Sequence, residues 1–200
     1  MSAKNFGKFI TLYSGNNLGK TTQVKAIKQQ LQKKNIKVEI VKYAIYDLDP
    51  TGILINQYLR ENNPYKLDST AFQTLQAANR YQYEPTIKEK LSKGIWILAE
   101  DYIGTSIVWG IATGVEKDYL VKLNSGLLKP DLEIVLVGKP FDTGHEKNHT
   151  HEDNRKLVEQ VSSLHEKLAL ELNWVQVNAN QKIPEVTKDL MAIILDKFAI

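Results

Sequence analysis

A chain of 200 residues, 42% hydrophobic and 24% charged, can bury one good core but is too short for two enzyme domains. Its formal net charge of +3 is too small to point to nucleic acid as a partner, and the absence of cysteine excludes disulfides and thiolate zinc sites. The opening Met1-Ser2-Ala3-Lys4-Asn5 has no apolar signal core, and no apolar run is long enough to span a bilayer. The expectation is one domain over 1–200, cytoplasmic, with no membrane partner.

The first apolar run, Phe9-Ile10-Thr11-Leu12-Tyr13, reads as a strand, and Ser14-Gly15-Asn16-Asn17-Leu18-Gly19-Lys20-Thr21-Thr22 follows it directly. From Thr21 to Lys34, Val24, Ile27 and Leu31 recur at helical spacing and predict the first crossover helix. Val38-Glu39-Ile40-Val41 is a second strand, and a helix begins at Ile53 and stops near Asn62-Asn63-Pro64. Asp68 or Ser69 caps a long helix running to about Ser92. Gly94–Ala99 is apolar throughout, as a strand covered on both faces requires, and exits through Glu100-Asp101-Tyr102. A helical region extends to about Gly126, and Pro130–Val137 forms the fourth strand. The polar stretch 142–154 has no apolar periodicity. Helix Arg155–Leu172, strand Trp174–Val177 and helix Glu185–Phe198 complete the chain. Strands alternating with helices predict an α/β fold of three layers, with a five-stranded parallel sheet between helices and ligands at the carboxyl ends of the strands.

Strand, glycine-bearing loop and helix in succession make a phosphate cradle. Backbone N–H groups line such a loop, the helix presents its positive end, and a lysine reaches the outer phosphates. Ser14, Gly15, Asn16, Asn17, Leu18, Gly19, Lys20, Thr21 and Thr22 are therefore the candidate ATP-binding residues. Lys20 is the catalytic cation, and the Thr21 hydroxyl is a candidate Mg2+ ligand. Ser14 stands where the pattern G-x-x-x-x-G-K-[ST] has its first glycine.

Together with Asp49-Pro50-Thr51-Gly52, Ala78-Asn79-Arg80-Tyr81, Ile87-Lys88-Glu89-Lys90-Leu91 and Pro130-Asp131-Leu132, this order resembles the thymidylate kinases, P-loop nucleoside-monophosphate kinases, over nearly the whole chain. The resemblance implies phosphorylation of dTMP to dTDP by ATP with Mg2+, small-molecule nucleotides as partners, and a homodimer whose contact lies between Asp49 and Ser92. Arg80 would hydrogen-bond the base, while Tyr102 and Trp109 shape the sugar side. The stretch 142–154 would be a mobile lid, closing with Lys147, His149 or Arg155 toward the phosphates. Asn178-Ala179-Asn180 resembles the place where the family's chain passes the adenine.

The departures from the family fall on charge. An aspartate, Asp101, stands where the family has an arginine near the acceptor phosphate, and Asp47 aligns with a second one. Gln76 replaces a base-stacking phenylalanine, and Asn16, Asn17 and Leu18 leave the loop without acid or arginine. The chain's only arginines are Arg60, Arg80 and Arg155. A contact charge pair near a protein surface is worth about 4 kcal/mol, so inverting two of them matters. Lys42, Lys139 or Lys147 can substitute as point charges, or Mg2+ can sit between Glu100 or Asp101 and the phosphates. Two other readings follow. A nucleoside kinase would use Glu100, Asp101 or Asp47 as general base toward a hydroxyl; a nucleotide-binding protein would bind ATP without transfer. His145, His149 and His151 with Glu152 and Asp153 have zinc-ligand chemistry, although a solvated lid explains them more simply.

Overall fold

The structure, a computed structural model, describes residues 6–141 and 155–200, with Arg155 described by its backbone alone. Strand β1 (Phe9–Ser14) is followed by α1 (Lys20–Lys33), β2 (Val38–Lys42), α2 (Thr51–Arg60), α3 (Ser69–Ser92) and β3 (Trp96–Glu100). Then come α4 (Ile103–Ala112), α5 (Lys117–Asn124), β4 (Leu132–Val137), α6 (Arg155–Glu171), β5 (Val175–Asn178) and α7 (Ile183–Phe198). The five strands form one parallel sheet in the order β2-β3-β1-β4-β5.

Alternation along the strands divides the core between two faces. Phe9, Tyr13, Ile97 and Ala99 face one way, packing with Ile107 and Val108 of α4, Leu120 of α5, and Val161 and Leu168 of α6. Ile10, Leu12, Leu98 and Ile134 face the other, against Val24, Ile27 and Leu31 of α1 and Leu190 and Ile194 of α7. These are the three layers expected from alternating strands and helices. A smaller cluster of Ala44, Ile55, Leu59 and Phe72 seats α2 and the start of α3 beside the carboxyl end of β2.

The element boundaries have local causes. Asp68 caps α3 by accepting from the Ala71 N–H at 2.7 Å. The helical region expected up to Gly126 is two helices, because the chain turns at Gly114, whose φ of +86° a side chain would resist. Among the described residues, no helix is long and apolar enough to cross a membrane.

Candidate active site

Beyond Ser14 the chain leaves β1 and turns through two left-handed residues, Asn17 at φ +58° and Gly19 at φ +76°. Asparagine and glycine are the residues that adopt this region most readily. Gly19 immediately precedes α1, and neither a capping side chain nor an acidic residue in the first turn occupies that helix end. Its N–H groups and dipole are thus left for an external anion. The Asn16 side-chain Nδ2 is buried with no hydrogen-bond partner among the described residues, a donor awaiting an acceptor. From the far side, the Phe141 N–H donates to the Asn17 carbonyl at 2.9 Å, bringing Phe141 over the loop.

Strand pairing supplies the floor. β1 and β3 are neighbours, with Leu12 opposite Glu100, so the loop after β1 meets the residues that end β3. Lys20 Nζ lies 2.6 Å from Asp101 Oδ1, and the Thr105 hydroxyl donates to that same oxygen at 2.7 Å. The Thr21 hydroxyl donates to Glu100 Oε2 at 2.7 Å. Asp101 itself is left-handed, at φ +62°, a conformation uncommon for a residue other than glycine.

The cavity continues from this floor into a second half, about 770 Å³ in all. Tyr43, Phe72, Gln73, Gln76, Arg80, Tyr102, Ser106 and Trp109 line that half. Arg80 is only 3% exposed. Burial lowers its pKa to about 10, which leaves the guanidinium charged at neutral pH. Its Nη1 donates to Asn124 Oδ1 at 3.3 Å, while its Nε has no partner among the described residues. Gln73 accepts from the Ser106 hydroxyl at 2.5 Å through its oxygen. Its amide nitrogen has no hydrogen-bond partner among the described residues. Two unsatisfied donors set in aromatic walls suit a flat ligand with carbonyl groups.

Neighbouring residues hold this half in place. Tyr102 donates its hydroxyl to the Leu128 carbonyl at 3.1 Å and packs its ring on Phe9 and Tyr43. Burial pushes the Tyr43 and Tyr102 phenols upward, so both stay neutral donors. Asn79, fully buried beside Arg80, accepts from the Ile45 N–H at 2.9 Å. Its amide donates to the Ile45 carbonyl at 3.0 Å and to the Thr51 hydroxyl at 2.9 Å, which ties down the loop between β2 and α2.

A family model for thymidylate kinase matches residues 15–190, beginning inside the phosphate loop. The chain belongs to the thymidylate kinase family. The thymidylate kinase of Plasmodium falciparum is 27% identical over 193 residues, covering 94% of this chain and 90% of its own length. That of Homo sapiens is 26% identical over 195 residues, covering 95% and 91%. A solved structure of the Candida albicans thymidylate kinase superposes with a TM-score of 0.81 at 23% identity, covering 94% of this chain and 91% of that one. At that identity the structural likeness shows the fold.

Within this thymidylate kinase frame, the cleft gathers most of the residues singled out from sequence. Ser14 through Thr22, Glu100, Asp101, Gln76, Arg80, Tyr102 and Trp109 all line it. Asp47 lies apart from this group. It is exposed and lines a shallow hollow with Ile40, Val41 and Tyr83 that shares Lys42, Ala44 and Tyr46 with the cleft, and it is not itself among the residues lining the cleft. Lys147, the expected lid and the histidine cluster lie outside the described residues, as does the side chain of Arg155.

Phe72, Gln73, Thr105 and Ser106 escaped the sequence reading. Their signal is helical spacing: Phe72 is one turn before Gln76, Gln73 is two turns before Arg80, and Thr105 is one turn after Asp101. The aromatic wall that Gln76 cannot provide comes from Phe72, whose ring stacks on Tyr58 at 3.7 Å between centroids. Tyr43 and Phe141 leave strand ends as single aromatics, and nothing local marks them.

Proposed function

We propose that this cleft transfers the terminal phosphoryl group of ATP to dTMP, giving dTDP. The observation that carries the reading is the pairing of Lys20 with Asp101 and of Thr21 with Glu100, on the floor between an open phosphate loop and the Arg80 pocket.

Phosphoryl transfer depends mainly on positioning and on neutralising charge as it spreads over the moving group. The loop N–H groups and Asn16 Nδ2 hold the donor phosphates, and Lys20 turns from Asp101 toward their outer oxygens. Thr21 and Glu100 present two hard oxygens 2.7 Å apart, a set suited to Mg2+, which when bound would neutralise the terminal phosphates. In the other half, Arg80 and the free amide of Gln73 donate to the carbonyls of thymine, with Phe72, Tyr43 and Trp109 as walls. Arg80 is the cation of that half buried deeply enough to act at low dielectric. A single kinase domain, a cytoplasmic location and a homodimer through the helices between Asp49 and Ser92 complete the proposal. The exposed Ile53, Tyr65 and Tyr81 in that span support the dimer.

An ADP-release assay with MgATP, comparing dTMP with the other nucleoside monophosphates, tests the reading. Acceptor-dependent ADP release with dTMP is expected. Release that ignores dTMP, or that is faster with a purine monophosphate, would overturn it.

A further inference from the structure

Three carboxylates compete for a role in the acceptor half, and the structure separates them. Asp47 is outside the cleft. Glu100 is 3% exposed and takes the Thr21 hydroxyl. Asp101 is different: the bonds from Lys20 and Thr105 both land on Oδ1, and Oδ2 has no hydrogen-bond partner among the described residues. The side chain is 15% exposed, toward the cavity it lines. When the donor phosphates draw Lys20 away, Asp101 loses the one ion-pair partner it has among the described residues and keeps the Thr105 bond, which fixes its orientation. The result is an unpaired, oriented carboxylate beside the phosphoryl donor.

A monophosphate acceptor has no proton to give up, and its negative charge is repelled by that carboxylate. A hydroxyl acceptor is neutral and must lose a proton as it attacks. We infer that Asp101 is a general base, and that the cleft accepts an unphosphorylated nucleoside as a further substrate class. The 5′-oxygen of thymidine bonds to the terminal phosphorus of ATP, its proton passes to Asp101 Oδ2, and the bond from that phosphorus to the bridging oxygen breaks. ADP leaves with that electron pair, and the products are dTMP and ADP. Trp109 and the phosphate loop line one and the same cavity, so the acceptor half opens directly onto Lys20 and Asp101. This inference rests on the ATP-donor reading above.

The experiment compares thymidine and dTMP as acceptors for the full chain with MgATP, identifying products by chromatography. It is run on the wild type, Asp101→Asn and Thr105→Val. Asparagine tolerates a left-handed backbone, so Asp101→Asn keeps the turn; Thr105→Val keeps the carboxylate and removes its orienting bond. Wild-type protein is expected to make dTMP from thymidine. Asp101→Asn should lower kcat with thymidine about 100-fold or more, and with dTMP by a clearly smaller factor. Thr105→Val should lower thymidine turnover about tenfold. Wild-type turnover of dTMP without any of thymidine would overturn the inference and leave the proposed function standing. Equal loss with both acceptors in both variants would overturn it too, since Asp101 would then act through Lys20. Thymidine turnover without dTMP turnover would uphold it and sink the proposed dTMP reaction.

Discussion

Lys20 and Asp101 lie 81 positions apart in the chain and 2.6 Å apart in space, the lysine at the start of α1 and the aspartate just past β3. The pair exists because β1 and β3 run side by side and in parallel, so whatever follows each strand converges at the same sheet edge. It also gives Lys20 a partner before any nucleotide arrives, one that donor phosphates displace in the proposed reaction.

Replacing Lys20 with alanine is expected to lower dTMP-dependent ADP release by about 100- to 1,000-fold or more, the scale of losing one preorganised charge-stabilising donor. The pair is partly exposed, so the fold should survive. Steady-state kinetics beside a thermal melt would check this, and near wild-type turnover would contradict a phosphate-binding role for the loop.

Arg80→Met keeps bulk and removes the charged donor. The KM for dTMP should rise about 10- to 100-fold, as expected for a lost hydrogen bond to a charged group, with the KM for ATP little changed. Because burial brings the Arg80 pKa down to about 10, wild-type binding of dTMP should also weaken above that pH, a limb that the methionine variant lacks. Titrating dTMP affinity against pH in both proteins separates the two effects.

Asn79→Ala strips the Ile45 N–H and carbonyl of their buried partner. Unmet buried polar groups cost about 1–3 kcal/mol each, and 1 kcal/mol shifts the melting temperature of a chain this size by about 2–4 °C. A melt lowered by several degrees is expected, with weaker acceptor binding because the same loop carries Tyr43, Ala44 and Tyr46 into the cleft.

His165, 1% exposed on α6, bonds the Val161 carbonyl through Nδ1, and its Nε2 has no partner among the described residues. Burial, helped by the Lys20 charge, lowers its pKa to about 4, so the folded chain holds it neutral while the unfolded chain protonates it near 6.5. Its contribution to stability is therefore fully present above about 6.5 and is lost as pH falls toward 4. In His165→Leu, the decline in melting temperature across that window should flatten. An unchanged acid slope would show that other groups govern it.

The strands and the phosphate loop were legible in the sequence because each is a contiguous signal: an apolar run, a Gly-Lys-Thr, a helical repeat beginning at Val24. The α3 cap was legible as Asp68 or Ser69 for the same reason, and the structure gives it to Asp68. Glu100 and Asp101 could be placed at a strand end but not paired, and Asp47 read as their equal although it faces outward. Which of Phe72, Gln73 and Gln76 supplies the aromatic wall and which the free amide depends on how α3 is rotated against α2 and α4.

By itself, the sequence determined the alternation of strands and helices and the strand-loop-helix pattern around Ser14 to Thr22, since these follow from neighbours along the chain, and the order of its motifs carried the resemblance to the thymidylate kinases. Only the tertiary structure decided that Lys20 meets Asp101, that Thr21 meets Glu100, that Asp47 is exposed and that Arg80 is buried. Those facts depend on strand order and helix packing, which bring together residues whose separation in sequence carries no local signal.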